Sequence, residues 1–134
     1  MKKLTIDSSV IISSLLKNEP RHKEALLIWE DVMKGKCLVI NPFSVLVEVV
    51  AAIRRRTGLA SLAMEVKKEL IDTENVSFVI LDDKSAIEAA EIAAKTGLRG
   101  MDALVVQVAK EYNSELISFD KEMMRKSRAI LKKR

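Results

Sequence analysis

The chain is poor in the residues that carry most redox and zinc chemistry. Among its 134 residues there is one cysteine, Cys37, and one histidine, His22. A single cysteine excludes an internal disulfide and any cysteine cluster for zinc or iron–sulfur. Within the strand-like run Cys37-Leu38-Val39-Ile40 it reads as a small buried hydrophobe. A single histidine excludes a nuclease with paired histidines as acid and base, and a histidine-rich zinc hydrolase. His22 lies in the polar helix start Pro20-Arg21-His22-Lys23-Glu24, where a solvated surface position is expected. Three Phe, one Trp and one Tyr are too few to suggest a base-stacking platform. No apolar run approaches the ~20 residues of a membrane span. The opening Met1-Lys2-Lys3-Leu4 begins like a signal peptide, but Asp7 breaks the apolar stretch and no small-residue cleavage site follows. A cytoplasmic protein without membrane association is expected.

What is present describes a globular chain. The hydrophobic fraction is 49% and the charged fraction 31%, and 134 residues suffice for one domain with one sizeable core. The net charge of +4 is unevenly spread. From Lys121 onward, Lys121, Arg125, Lys126, Arg128, Lys132, Lys133 and Arg134 face one acid, Glu122; a second basic cluster is Arg54-Arg55-Arg56. The stretch from Glu65 to Glu91 is acid-rich by comparison. Basic clusters suit a polyanionic partner, and they equally suit solubilising faces and a frayed tail.

Hydrophobic periodicity alternates between strand and helix. Strands are expected at Lys3 to Asp7, Cys37 to Ile40, Ser77 to Leu81 and Glu115 to Ser118. Helices are expected at Val10 to Leu16, at Arg21 to Lys34 with Ala25, Leu26, Trp29, Val32 and Met33 along one stripe, and at Leu59 to Ile71. Asn41-Pro42 reads as a helix cap followed by proline in the first helical position, opening a helix to about Arg56 that Gly58 ends. Asp82-Asp83 caps a helix from Lys84 to Thr96 closed by Gly97; further helices follow at Met101 to Tyr112 and Lys121 to Lys126. Short apolar strands separated by helices predict an α/β fold whose parallel sheet is covered on both faces. Ligands gather beyond the carboxyl ends of such strands.

Four carboxylates sit against core-forming sequence. Asp7 ends Leu4-Thr5-Ile6, Glu48 interrupts Val45 to Ile53, Asp102 opens the apolar segment Ala103 to Ala109, and Asp120 follows Leu116-Ile117-Ser118-Phe119. Such placement costs desolvation energy unless a cation or donor compensates. On a helical wheel Glu48 shares its direction with Ser44, Ala51, Ala52 and Arg55, a small and polar face in an apolar helix. Each position also has an ordinary use. Glu48 could pair with Arg55, Asp102 and Asp120 could serve helix N-termini, and Asp7 could start a turn with Ser8 and Ser9. As a set they suggest a shared divalent ion, and oxygen-only ligands select Mg²⁺ or Mn²⁺ over zinc. With no histidine available, such an ion would carry most of the acid–base work at phosphate, and a carboxylate would orient the attacking water.

Taken together these motifs resemble the PIN-domain nucleases, and within them the VapC-type toxins of toxin–antitoxin pairs. The resemblance covers nearly the whole chain. The apolar strand ending in Asp7-Ser8-Ser9 is similar to the family's first aspartate motif, and Pro42-Phe43-Ser44-Val45-Leu46-Val47-Glu48 to its helical glutamate. Asp102-Ala103-Leu104 resembles its third acidic motif, and Leu116-Ile117-Ser118-Phe119-Asp120 its last strand and hydroxyl-x-Asp motif, with Ser118 where threonine is commoner. The resemblance implies a Rossmann-like α/β/α sandwich and Mg²⁺- or Mn²⁺-dependent cleavage of RNA leaving 5′-phosphate and 3′-hydroxyl ends. It further implies a homodimer and a cognate antitoxin. Asp7, Asp102 and Asp120 would then bind metal, with Glu48 as ligand or water orienter. Ser8 and Ser118 would support them, and Arg55, Arg56, Arg99 and Lys121 would attract the RNA backbone. For a dimer, the helices Arg21–Lys34 and Leu59–Ile71 offer Leu26, Trp29, Leu62, Val66 and Leu70, which serve equally as core.

Two other classes compete. A receiver-like signalling domain is also α/β and Mg²⁺-binding, but it wants an acidic pair after the first strand, where Ser8 follows Asp7 here. A non-cleaving binding module on the same scaffold, or a housekeeping RNA-processing nuclease, is less simply separated; the complete acidic set argues against the first.

Overall fold

A computed structural model of the protein describes residues 1–131; Lys132, Lys133 and Arg134 of the basic C-terminal stretch lie outside the described residues. In chain order the elements are β1 (Lys2–Ile6), α1 (Ser8–Leu15), α2 (His22–Met33), β2 (Cys37–Pro42), α3 (Phe43–Thr57) and α4 (Ala60–Asp72). They continue with β3 (Val76–Val79), α5 (Asp83–Thr96), α6 (Gly100–Glu111), β4 (Glu115–Ile117) and α7 (Lys121–Leu131). The strands form one parallel sheet in the order β3-β2-β1-β4. Parallel crossovers are right-handed. Stepping from β1 to β2 to β3 therefore puts α1 to α4 on one face, and the return from β3 to β4 puts α5 and α6 on the other. The chain reverses its direction across the sheet at β1, and ligand crevices open beyond the carboxyl ends of strands at such a switch point.

Sheet register explains how β1 is held. Its ladder to β2 pairs Lys2 with Cys37, Lys3 with Leu38 and Leu4 with Val39, and its ladder to β4 pairs Leu4, Thr5 and Ile6 with Glu115, Leu116 and Ile117. Beyond Leu4 the β1–β2 seam passes to side chains. Thr5 Oγ1 donates to the Ile40 carbonyl at 2.7 Å and shares a hydrogen bond with the Ser114 hydroxyl. Asn41 is fully buried; its Oδ1 accepts from the Ile6 amide and its Nδ2 donates to the Ile6 carbonyl, both at 2.9 Å. The asparagine expected to cap a helix thus bonds across the sheet, one residue before Asp7. Pro42 takes the cap position in extended geometry instead.

The helices follow the expected apolar stripes with shifted ends. Gly58 and Gly97 close α3 and α5 in the left-handed region, at φ 73° in both cases, which glycine adopts without strain. Asp82 caps α5 in a reciprocal box with Ser85. On α2 only Ala25 and Val32 of the expected stripe are buried; Leu26 and Met33 are exposed. Val66 and Leu70 of α4 belong to the core. β3 begins and ends earlier than expected, so Ile80 and Leu81 are exposed loop residues. α7 runs to Leu131, well past Lys126, because Met123, Ser127 and Leu131 recur every four residues and are buried. His22 is half-buried rather than solvated, with Nδ1 donating to the Ser13 carbonyl at 2.7 Å. The neighbouring carbonyl fixes its tautomer and uses the ring structurally.

Asn41→Leu keeps the branched shape of the side chain but removes both bonds to Ile6. Because two buried backbone groups lose partners, we expect a stability loss of about 2–4 kcal/mol in urea unfolding. A change below about 0.5 kcal/mol would show that water or a shifted strand replaces the amide.

Candidate active site

Asp7 follows β1 and is 5% exposed. Its backbone is set by the sheet and by α1: its amide donates to the Ile117 carbonyl at 2.9 Å, and its carbonyl accepts from Val10 and Ile11. Its side chain is set by two hydroxyls. Ser9 Oγ and Ser118 Oγ both donate to Oδ2, at 2.9 and 3.0 Å. The same hydroxyls brace the turn after β4, since Ser9 Oγ accepts from the Phe119 amide and Ser118 Oγ from the Asp120 amide. Asp7 Oδ1 is left for whatever the site receives. Ser118 therefore bonds both the Asp7 carboxylate and the Asp120 amide. Ser9 also bonds the Asp7 carboxylate, while the side chain of Ser8 bonds Glu48 instead.

Asp120 is exposed and caps α7 through Oδ1, which accepts from the Met123 amide at 3.1 Å. Asp102 is the third residue of α6, half-buried, and accepts no side-chain cap bond at that helix start. Glu48 is half-buried on α3, and Arg55 is exposed and forms no ion pair with it. None of the four carboxylates has an ion-pair partner among the described residues. One turn before Glu48 on the same helical face, Ser44 Oγ is buried without a hydrogen-bond partner among the described residues.

The carboxylates share a field. Burial pushes the Glu48 carboxyl above its ordinary value, and the Asp7 and Asp102 charges push it further, while the Ser8 side chain pulls the other way. Burial also raises Asp102, with Asp7 and Asp120 adding to the rise and Arg99 opposing it. Glu48, Asp102 and Asp120 line a groove of about 720 Å³ whose far wall is Ala86, Ala89, Ala90 and Ala93 of α5. Arg99 lines this groove and an adjoining cavity of about 380 Å³ with Asp102, Asp120 and Glu122. Arg55 lines neither; Arg56 is drawn away by an ion pair to Glu19 at 2.6 Å, and Lys121 is exposed at the start of α7.

Among the described residues no three His, Cys, Asp or Glu side chains stand together so as to hold a metal ion. The donor set still fits a hard cation. Mg²⁺ is held by one or two carboxylates, keeps its waters and completes its shell with substrate phosphate. Like charges without a counter-ion, beside an unpartnered hydroxyl, suit such an open site better than a preformed zinc cage.

Similarity to known proteins agrees with this layout. The PIN domain family model matches residues 4–129. The fold is similar to the crystal structure of Mycobacterium tuberculosis VapC20, a Sarcin-Ricin loop cleaving toxin, with TM-score 0.77, 17% identity, and 91% of this chain and 93% of that one covered. No curated protein matches the chain. The family match runs from β1 into α7 and takes in Asp7, Glu48, Asp102 and Asp120: the chain belongs to the PIN domain family.

Proposed function

We propose that the protein is a Mg²⁺- or Mn²⁺-dependent endoribonuclease and the toxin of a type II toxin–antitoxin pair. The observation that carries this reading is a group of carboxylates with no ion-pair partner among the described residues: Glu48, Asp102 and Asp120 line one groove at the switch point of the sheet, and the Asp7 charge acts on Glu48 and Asp102. Such an arrangement is unfavourable in isolation and becomes favourable when a cation and a phosphate arrive together. A bound Mg²⁺ or Mn²⁺ supplies Lewis-acid stabilisation of the phosphoryl oxygens and an activated water at neutral pH. Asp7, Asp102 and Asp120 would hold the ion, Asp7 in an orientation fixed by Ser9 and Ser118. Glu48, with its raised affinity for a proton, orients the attacking water and accepts its proton. The 3′-oxygen leaves, giving 5′-phosphate and 3′-hydroxyl ends. Arg99 beside the carboxylates contacts the phosphate, with Lys121, Arg55 and Arg56 contributing at longer range.

The toxin role rests on the likeness to VapC20. A cytoplasmic location fits an RNA target, and no helix among the described residues is long and apolar enough to cross a membrane. A groove of about 1060 Å³ lined in part by Leu26, Trp29, Met33 and Val66 supports a homodimer or an antitoxin contact on that side.

Sequencing of 5′-phosphate ends after incubation of total RNA with Mn²⁺ tests the activity. Discrete new ends are expected from the wild type and none from Asp102→Asn; identical profiles would remove the nuclease reading. Asp7→Asn should likewise reduce cleavage at least about 100-fold while leaving the unfolding midpoint nearly unchanged.

The electrostatic argument has its own check. A carboxyl whose folded-state proton affinity is raised destabilises the fold wherever it is ionised, that is, above its folded value and so at neutral pH. Glu48→Gln and Asp102→Asn are therefore expected to raise the melting temperature by a few degrees at pH 7.5, a gain that shrinks toward pH 4. Mg²⁺ should raise the wild-type melting temperature more than that of either variant. Variants less stable than wild type at pH 7.5 would show that these carboxylates are satisfied structural groups.

A further inference from the structure

Composition argues against an extended stacking surface, yet the fold assembles a small one from distant residues. Arg21, in the loop before α2, lays its guanidinium 3.8 Å from the centroid of the Phe119 ring. Its plane is locked by Glu24, which accepts from Nε and Nη2 at 3.0 and 2.9 Å and again from Nη2 through its second oxygen at 2.9 Å. The pair forms one wall of a cavity of about 230 Å³, with Ser9, Ser13, Glu19 and Arg56 around it. This cavity adjoins the acidic groove through one dipeptide: Phe119 lines the first and Asp120 the second. Ser9 connects them further, since its hydroxyl touches both the Asp7 carboxylate and the Phe119 amide.

Charge decides what such a cavity accepts. Both arginines are already neutralised, Arg21 by Glu24 and Arg56 by Glu19. A phosphate would have to displace a glutamate, whereas a flat ring can stack on the guanidinium with both ion pairs intact. Unstacked RNA bases are held on aromatic rings and arginine planes in this way. The hydroxyl of Ser13 and the carboxylate of Glu19, within 3.4 Å of each other, offer an edge for hydrogen bonding.

We propose that Arg21 on Phe119 is a nucleobase subsite, seating one unpaired base of a single-stranded RNA next to the phosphate that lies over the carboxylates. This rests on the endoribonuclease reading above. Arg21 and Phe119 position the substrate and take no part in the chemistry.

The test uses a short fluorescein-labelled single-stranded RNA spanning a cleavage position found by end sequencing, bound to the non-cleaving Asp102→Asn protein. Arg21→Lys keeps the charge and loses the plane. It should weaken binding roughly 5- to 100-fold, the range of one base–aromatic stack, with the salt dependence unchanged. Phe119→Leu, its folding verified by its melting temperature, should do the same. In the cleaving protein Arg21→Lys should raise KM and leave kcat near wild type. An abasic substitution moved along the RNA should weaken the wild-type site at one position beside the cleaved bond, and Arg21→Lys should no longer respond to it. Equal affinity of Arg21→Lys for the intact RNA, or undiminished sensitivity to the abasic position, would overturn the subsite and leave the nuclease standing. Absence of cleavage by the wild type would instead bring down the underlying reading, and this one with it.

Discussion

The place of Asp7 depends on the end of β1, which is held on its β2 side by side chains rather than by ladder. The strand leaves its ladder to β2 after Leu4, although β2 itself runs on to Pro42. Thr5 and Asn41 take over, the first to the Ile40 carbonyl and the second to both backbone groups of Ile6. On the other side β4 pairs as far as Ile117 and accepts the Asp7 amide. A carboxylate flanked in this way cannot rotate away from its neighbours. The charges of Asp7 and Asp102 then add to the rise in proton affinity that burial causes at Glu48, and those of Asp7 and Asp120 to the rise at Asp102.

Much of this was legible in the sequence because its causes are local. Alternation of apolar runs identified four strands and their helices, glycines marked the ends of α3 and α5, and the acidic positions stood out against their apolar neighbours. What escaped was non-local. Asn41-Pro42 looks like a helix start in any window, and only the proximity of Ile6, 35 residues away, turns the amide across the sheet. Ser9 resembles its neighbour Ser8 until the turn after β4 lies beside it. The arginine–phenylalanine pair joins residues 21 and 119 and leaves no pattern in either segment. The length of α7 was hidden for a different reason: its buried stripe of Met123, Ser127 and Leu131 is narrow, and charge fills the rest of the helix.

Asp120 combines a local cap with a place on the groove. One oxygen holds the first turn of α7, and the same residue lines the groove with Glu48 and Asp102. Ordinary uses of a carboxylate and functional ones are therefore not exclusive, and a side chain anchored by a helix start is well placed to present its other oxygen. Asp102 shows the contrast, standing in the first turn of α6 without capping it. Burial raises its proton affinity first, and the charges of Asp7 and Asp120 add to the rise.

The strand order carries a temporal meaning as well. β1 is synthesised first yet lies between β2 and β4, and β4 is the last strand to emerge. Until it docks, Asp7 lacks the Ile117 carbonyl and the Ser118 hydroxyl, and Asp120 has no fixed place. Pairings that span more than a hundred residues form late, since their loop entropy must be met before they stabilise anything. The four carboxylates are therefore brought together only when the final strand takes its place beside the first.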